Sequence, residues 1–134
     1  MAEKMHLSFF IFAMIGFITL VPVSSKIHII GDQTGWSLPN YSTFYGTWAK
    51  KQNFAVGDEL RFKYRPGLNT VLQVNKDDYD HCTTRKTIST FFRGDTIISL
   101  DKPGDYFFIN SVGKHCEGGQ KIAITVPQGK PSSH

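Results

Sequence analysis

Glu59-Leu60-Arg61-Phe62-Lys63-Tyr64, followed at once by Arg65-Pro66-Gly67, is the stretch that decides the fold. Successive side chains of an extended chain point to opposite faces, so Leu60, Phe62 and Tyr64 share one side and Glu59, Arg61 and Lys63 the other. That alternation predicts a half-buried strand with one wet face, ended by the Pro-Gly turn. Working outward, Val71 to Val74 is a second strand. Thr96 to Leu100 follows Gly94-Asp95 and stops before Lys102-Pro103-Gly104. Asp105 to Asn110 is aromatic and β-branched, and Gln120 to Val126 alternates again, with Ile122, Ile124 and Val126 on one side. Toward the N-terminus, Lys26 to Ile30 ends at the turn pair Gly31-Asp32. Helical periodicity is confined to short stretches, around Asp77 to Tyr79 and around Trp48 to Lys51. Short strands separated by turn residues predict an all-β sandwich or barrel.

The chain opens differently. Residues 7–23 read LSFFIFAMIGFITLVPV, without a charge, after Glu3 and Lys4. The run suits the apolar region of a secretory signal and is short for a membrane span. Small residues close it, and cleavage is expected between Ser25 and Lys26. The expected organisation is a signal peptide over 1–25, one domain over 26–126, and a short flexible polar tail over 127–134. The mature chain of about 110 residues is one domain of ordinary size. No membrane span is expected after cleavage. The leader contains one base and one acid, so the net charge of +4 belongs to the mature chain. The basic residues are scattered, with Lys50-Lys51 and Arg85-Lys86 the densest pairs, and no aromatic stripe runs between them. Nucleic-acid binding is therefore not expected, whereas a mildly basic surface suits anionic wall polymers or anionic lipid.

Cys82 and Cys116 are the two cysteines. In an oxidising compartment an even count in a small domain reads as a disulfide, worth about 3 to 4 kcal/mol for a long loop. Two free thiols or a catalytic cysteine fit poorly behind a secretory leader. The tail Pro127 to His134 has no apolar stretch of the kind a glycolipid anchor signal needs, so a released protein is expected. Asn40-Tyr41-Ser42 is an acceptor for N-glycosylation at Asn40 in an expected surface loop.

Gly31-Asp32 with Gly35-Trp36, Trp48 before Phe54, Val56-Gly57-Asp58-Glu59-Leu60, Tyr79 before Cys82, Gly94-Asp95, Tyr106-Phe107-Phe108-Ile109, His115-Cys116 and Gly119-Gln120-Lys121 follow one another in an order that resembles the phytocyanins, plant blue-copper-like proteins. The likeness runs from Lys26 to Val126. It implies a cupredoxin-like Greek-key β-sandwich of two sheets, with a disulfide between Cys82 and Cys116. Copper-binding phytocyanins hold the metal with two histidines, one cysteine and an axial methionine or glutamine, a soft thiolate with two imidazoles being what selects and tunes the metal. By the resemblance, the first histidine's place is taken here by Asn69 and the cysteine's by Asn110. The second histidine matches His115 and the axial ligand Gln120. Two ligands, the thiolate among them, are missing, and both cysteines are committed to the bridge. The pattern is most similar to the early nodulin-like branch, whose members typically lack copper, although neither a Pro/Ser-rich stalk nor an anchor tail is expected after Val126. The resemblance therefore implies no cofactor, with copper as the alternative.

His115 can be a residual ligand or one member of a polar cluster with Asn69, Asn110 and Gln120; the second is the stronger expectation, since unmet buried polar atoms are costly. His81 and His115 each precede a bridge cysteine and form a weaker candidate pair for adventitious zinc or copper. Asp77, Asp78 and Asp80 read as a solvated turn. No nucleophile elbow, metalloprotease helix or phosphate loop is present, so an enzyme is not expected. Two functions stay open: a non-catalytic module in the apoplast, and a copper protein that transfers electrons. The module's expected partners are cell-wall glycans, arabinogalactan-type glycoproteins or receptor ectodomains, and its expected place is extracellular, with association at the plasma-membrane surface left open. Trp36, Tyr41, Phe44 and Tyr45 are either a sugar-stacking patch or, as expected for most of them, packing over the sandwich end.

Overall fold

The alternating stretch lies in the middle of a three-stranded sheet of order β1 (Ile27–Ile29), β2 (Glu59–Lys63), β5 (Asp95–Ser99). A four-stranded sheet of order β4 (Ser89–Phe91), β3 (Val71–Val74), β6 (Gly104–Ile109), β7 (Lys121–Val126) packs against it. These features come from a computed structural model that describes residues 25–129. The expected leader up to residue 24 and the tail from residue 130 lie outside the described residues. β1 pairs with β2 in parallel, which the long connection between them permits, and the remaining pairings are antiparallel. Two short helices complete the described elements, α1 (Phe44–Lys50) and α2 (Lys76–His81), with one 3-10 turn at Asp32–Thr34.

The alternation of β2 becomes the core. Leu60 and Phe62 are fully buried, whereas Lys63 is exposed and Arg61 pairs with Asp95 across the strands. Phe62 meets Trp36 edge-on at 5.1 Å and Phe108 at 5.1 Å, joining the two sheets through aromatic rings. Ile122, Ile124 and Val126 of β7 fill the same layer. Gly35 is required where it stands. At φ 69° a Cβ would lie 2.8 Å from the Lys63 carbonyl oxygen, and the next residue, Trp36, gives its backbone N–H to that oxygen at 2.8 Å. The turn thereby drives Trp36 into the core.

Trp36 and Tyr45 are buried, Phe44 is half-buried, and only Tyr41 of the four aromatics is well exposed, at 56%. They form no stacking patch. Trp36 and Tyr45 belong to the core because the Tyr45 hydroxyl donates to the Gly35 carbonyl and the rings pack at 5.0 Å.

β3 is buried on both faces. Val71 faces the main core, while Leu72 and Val74 join Ile109 and Cys116 on the outer side under α2. α2 begins where Asn75 accepts from the Asp78 backbone N–H at 2.9 Å. Asp78 corrects the expectation of a solvated acidic turn. It is 1% exposed, and its carboxylate accepts from the Thr83 hydroxyl and from the backbone N–H groups of Arg85 and Lys86, so it shapes the loop that leads to β4. Asp77 and Asp80 are exposed as expected.

Candidate functional site

Three chain segments converge at one site. Asn69 sits in the loop before β3, Asn110 directly follows β6, and His115 and Gln120 flank the turn before β7. The antiparallel pairing of β6 with β3 and β7 places these ends side by side, and the Asn110 N–H donates to the Gln120 carbonyl at 3.1 Å. Gly119 lets the turn close: at φ 107° its Cβ would fall 2.5 Å from the Ser42 Cα, a backbone approach that only glycine allows.

The side chains bond to one another. Asn110 Nδ2 donates to Gln120 Oε1 at 2.8 Å and to Asn69 Oδ1 at 3.1 Å. Gln120 Nε2 donates to Asn69 Oδ1 at 2.8 Å, and Asn69 Nδ2 reaches the Arg65 carbonyl at 3.3 Å. Asn110 Oδ1 accepts from the Thr70 N–H, the Thr70 hydroxyl and the Val112 N–H. His115 Nδ1 lies 3.1 Å from both Asn110 Nδ2 and Gln120 Oε1. An amide nitrogen has two hydrogens, and those of Asn110 are taken by the two oxygens. We assign the tautomer with a hydrogen on Nδ1, donated to Gln120 Oε1, which leaves no acceptor facing an acceptor. Asn110 and Gln120 are completely buried, Asn69 is 6% exposed, and His115 is half-buried.

The donor set is thus three carboxamides and one imidazole whose inward nitrogen carries a hydrogen. It contains no thiolate and no carboxylate, and does not fit the thiolate-and-two-imidazole set of a blue copper centre. Cys82 and Cys116 are joined in a disulfide with Cα atoms 5.8 Å apart. They cluster with Glu117, but oxidised sulfurs are poor ligands, so that grouping is not a metal site. His81 Nδ1 lies 2.9 Å from the Asp77 carbonyl on α2, and His115 Nδ1 faces the amide cluster. Asn40 is exposed in the loop before α1.

Residues 36–120 match a family model described as the plastocyanin-like domain. The structure is similar to cucumber stellacyanin, solved with Cu2+, at a TM-score of 0.73 and 34% identity over 81% of this chain and all of that one. The chain belongs to the phytocyanin family. Its fold is cupredoxin-like. Among phytocyanins it is 34% identical to early nodulin-like protein 14 of Arabidopsis thaliana, covering 93% of this chain and 68% of that protein. It is 41% identical to the blue copper protein of Pisum sativum, covering 79% of this chain and 54% of that protein. The chain thus spans between about half and two thirds of the length of these curated relatives. Relatives carry both early nodulin-like and blue-copper names, so the family alone does not decide between them, and the site residues must.

The sequence reading missed Thr70, whose N–H and hydroxyl both serve Asn110 and whose carbonyl accepts from Trp36 Nε1 at 2.8 Å. Its only sequence signal is its place beside Asn69.

Proposed function

We propose that this phytocyanin is a copper-free domain of the early nodulin-like kind. In this reading it works outside the cell as a non-catalytic binding module for glycans, arabinogalactan-type glycoproteins or receptor ectodomains. One observation carries the reading: the amides of Asn69, Asn110 and Gln120 saturate one another where a copper ligand set would have to open toward a metal. A closed network of buried hydrogen bonds is stable as it stands, and breaking it to admit an ion leaves polar groups unmet. The names of the blue copper protein and of copper-bearing stellacyanin favour the second reading, an electron carrier, and by the family resemblance Gln120 and His115 match two of the ligands it needs.

Copper titration of the disulfide-intact protein separates the two. The wild type is expected to develop no intense thiolate-to-copper charge-transfer band. The double variant Asn69→His/Asn110→Cys restores a thiolate and a second imidazole beside His115 and Gln120, and is expected to gain that band. A stoichiometric blue site in the wild type overturns the copper-free reading. A screen of wall glycans and receptor ectodomains against the same material tests the binding role, and uniform silence across the screen counts against it.

A further inference from the structure

Lys26 holds a position that its own side chain does not explain. Its backbone nitrogen donates to Asp58 Oδ1 at 3.0 Å, and its carbonyl accepts from the Glu59 N–H at 2.8 Å. The parallel register of β1 on β2 therefore pins this one nitrogen against one carboxylate. Asp58 is only 3% exposed, and its other oxygen lies 2.8 Å from His28 Nε2 and 3.0 Å from the Ala55 N–H. A buried carboxylate is stable when a charge of opposite sign meets it. In the uncut chain the partners of Asp58 are two neutral peptide N–H groups and an imidazole.

We propose that removal of residues 1–25 completes this site, because cleavage of the Ser25–Lys26 peptide bond turns the Lys26 nitrogen into an α-ammonium already seated on Asp58. The cut consumes one water. It leaves a carboxylate on Ser25 and an amine on Lys26 that takes up a proton at neutral pH. The neutral hydrogen bond then becomes an ion pair, and charge-assisted bonds are roughly twice as strong as neutral ones. Lys26 itself is exposed, so the ammonium keeps part of its hydration and avoids the full desolvation penalty of a buried ion. The fold thereby selects one terminus. A strand advances about 3.3 Å per residue, so a chain starting one residue earlier or later carries its charge away from Asp58. The inference rests on the secretory reading of the leader and is independent of the copper-free reading.

The full chain is expressed in a secreting plant cell, and the terminus of the secreted protein is read by mass spectrometry. Lys26 is expected; any other terminus overturns the proposal together with the cleavage reading. A second full chain carries one glycine inserted after Ser25, so that Lys26 keeps a neutral peptide N–H. With the extra glycine retained, its folding equilibrium constant in urea is expected to be about tenfold lower. In an Asp58→Asn background the two termini are expected to be equal. Labelling of the α-amine by an amine-reactive reagent gives a readout that does not need that variant. In the wild type it is expected to be about tenfold slower folded than unfolded, because the paired amine stays protonated. Equal stability of the two termini, or equal labelling of folded and unfolded protein, refutes the ion pair while leaving a confirmed Lys26 terminus intact.

Discussion

Asn110 uses both ends of one small amide. Its oxygen accepts from the Thr70 and Val112 N–H groups and its nitrogen donates to Asn69 and Gln120, and Asn110 itself is completely buried. Asn110→Ala strands these partners together, and unmet buried polar groups cost about 1 to 3 kcal/mol each. Some relax toward one another, so the expected loss is about 3 kcal/mol, read from urea unfolding. His115→Ala is expected to lose about 1 kcal/mol or less, since the half-buried ring gives up one hydrogen bond and water can replace it. Comparable losses in the two variants would mean that the cluster is organised around the imidazole and not the amides. The four positions were legible in the sequence because family spacing fixes them relative to Pro66-Gly67, Ile109 and Cys116. The pairing was not. Which amide faces which depends on side-chain rotation inside a closed space, and Thr70 enters only through its neighbour.

Among the elements, α2 depends most on others. A six-residue helix has no independent stability in water, because nucleation is not recovered over so few bonds. It is held by the Asn75 cap, by Tyr79 against Phe107 at 5.2 Å, by Lys121 Nζ on the Tyr79 carbonyl at 2.8 Å, and by the cystine. Cys82 ends it with φ 54°, a left-handed conformation that a non-glycine residue holds only when its surroundings enforce it. The cystine joins this end to Cys116, next to His115, across 34 residues. Replacing both cysteines with alanine is therefore expected to cost about 3 kcal/mol. Hydrogen exchange should rise first in α2 and in the turn before β7; a rise spread evenly over both sheets would contradict that local role. The long alternations of β2 and β7 announced themselves in the sequence. β4 did not: three residues on a sheet edge, with Ile88 beside them 62% exposed, are too few to display a period of two. The misreading of Asp78 has a similar origin, since its partners are hydroxyl and backbone donors up to eight residues downstream, which carry no pattern of their own.

At the scale of the molecule, two buried carboxylates tie separate parts of the sandwich together. Asp58 fastens the start of β1 to the start of β2, and Asp78 folds the loop that delivers β4 to the second sheet. Burial alone pushes Asp58 up, but the hydrogen bonds from His28, Lys26 and Ala55 outweigh it and hold the carboxyl below its ordinary 3.8. The Thr83 hydroxyl does most to hold Asp78 below the same value, against a smaller push from burial and with help from the Lys86 and Arg85 N–H groups. A carboxyl with a depressed folded value binds its proton more readily when unfolded. The stability it contributes is therefore complete above 3.8 and is lost as pH falls through the folded value. Protonation also raises a net charge that is already +4, adding self-repulsion in the same direction. Stability from urea melts should fall steeply below about pH 4, with a slope of about two protons or more taken up on unfolding. Asp78→Asn is expected to lower stability at neutral pH and to reduce the acid slope by up to about one proton, because that site no longer titrates. A variant with the wild-type slope would show that Asp78 is not among the groups that set the acid limit, and would move the burden to Asp58 and the Arg61–Asp95 pair on the outer face of the first sheet.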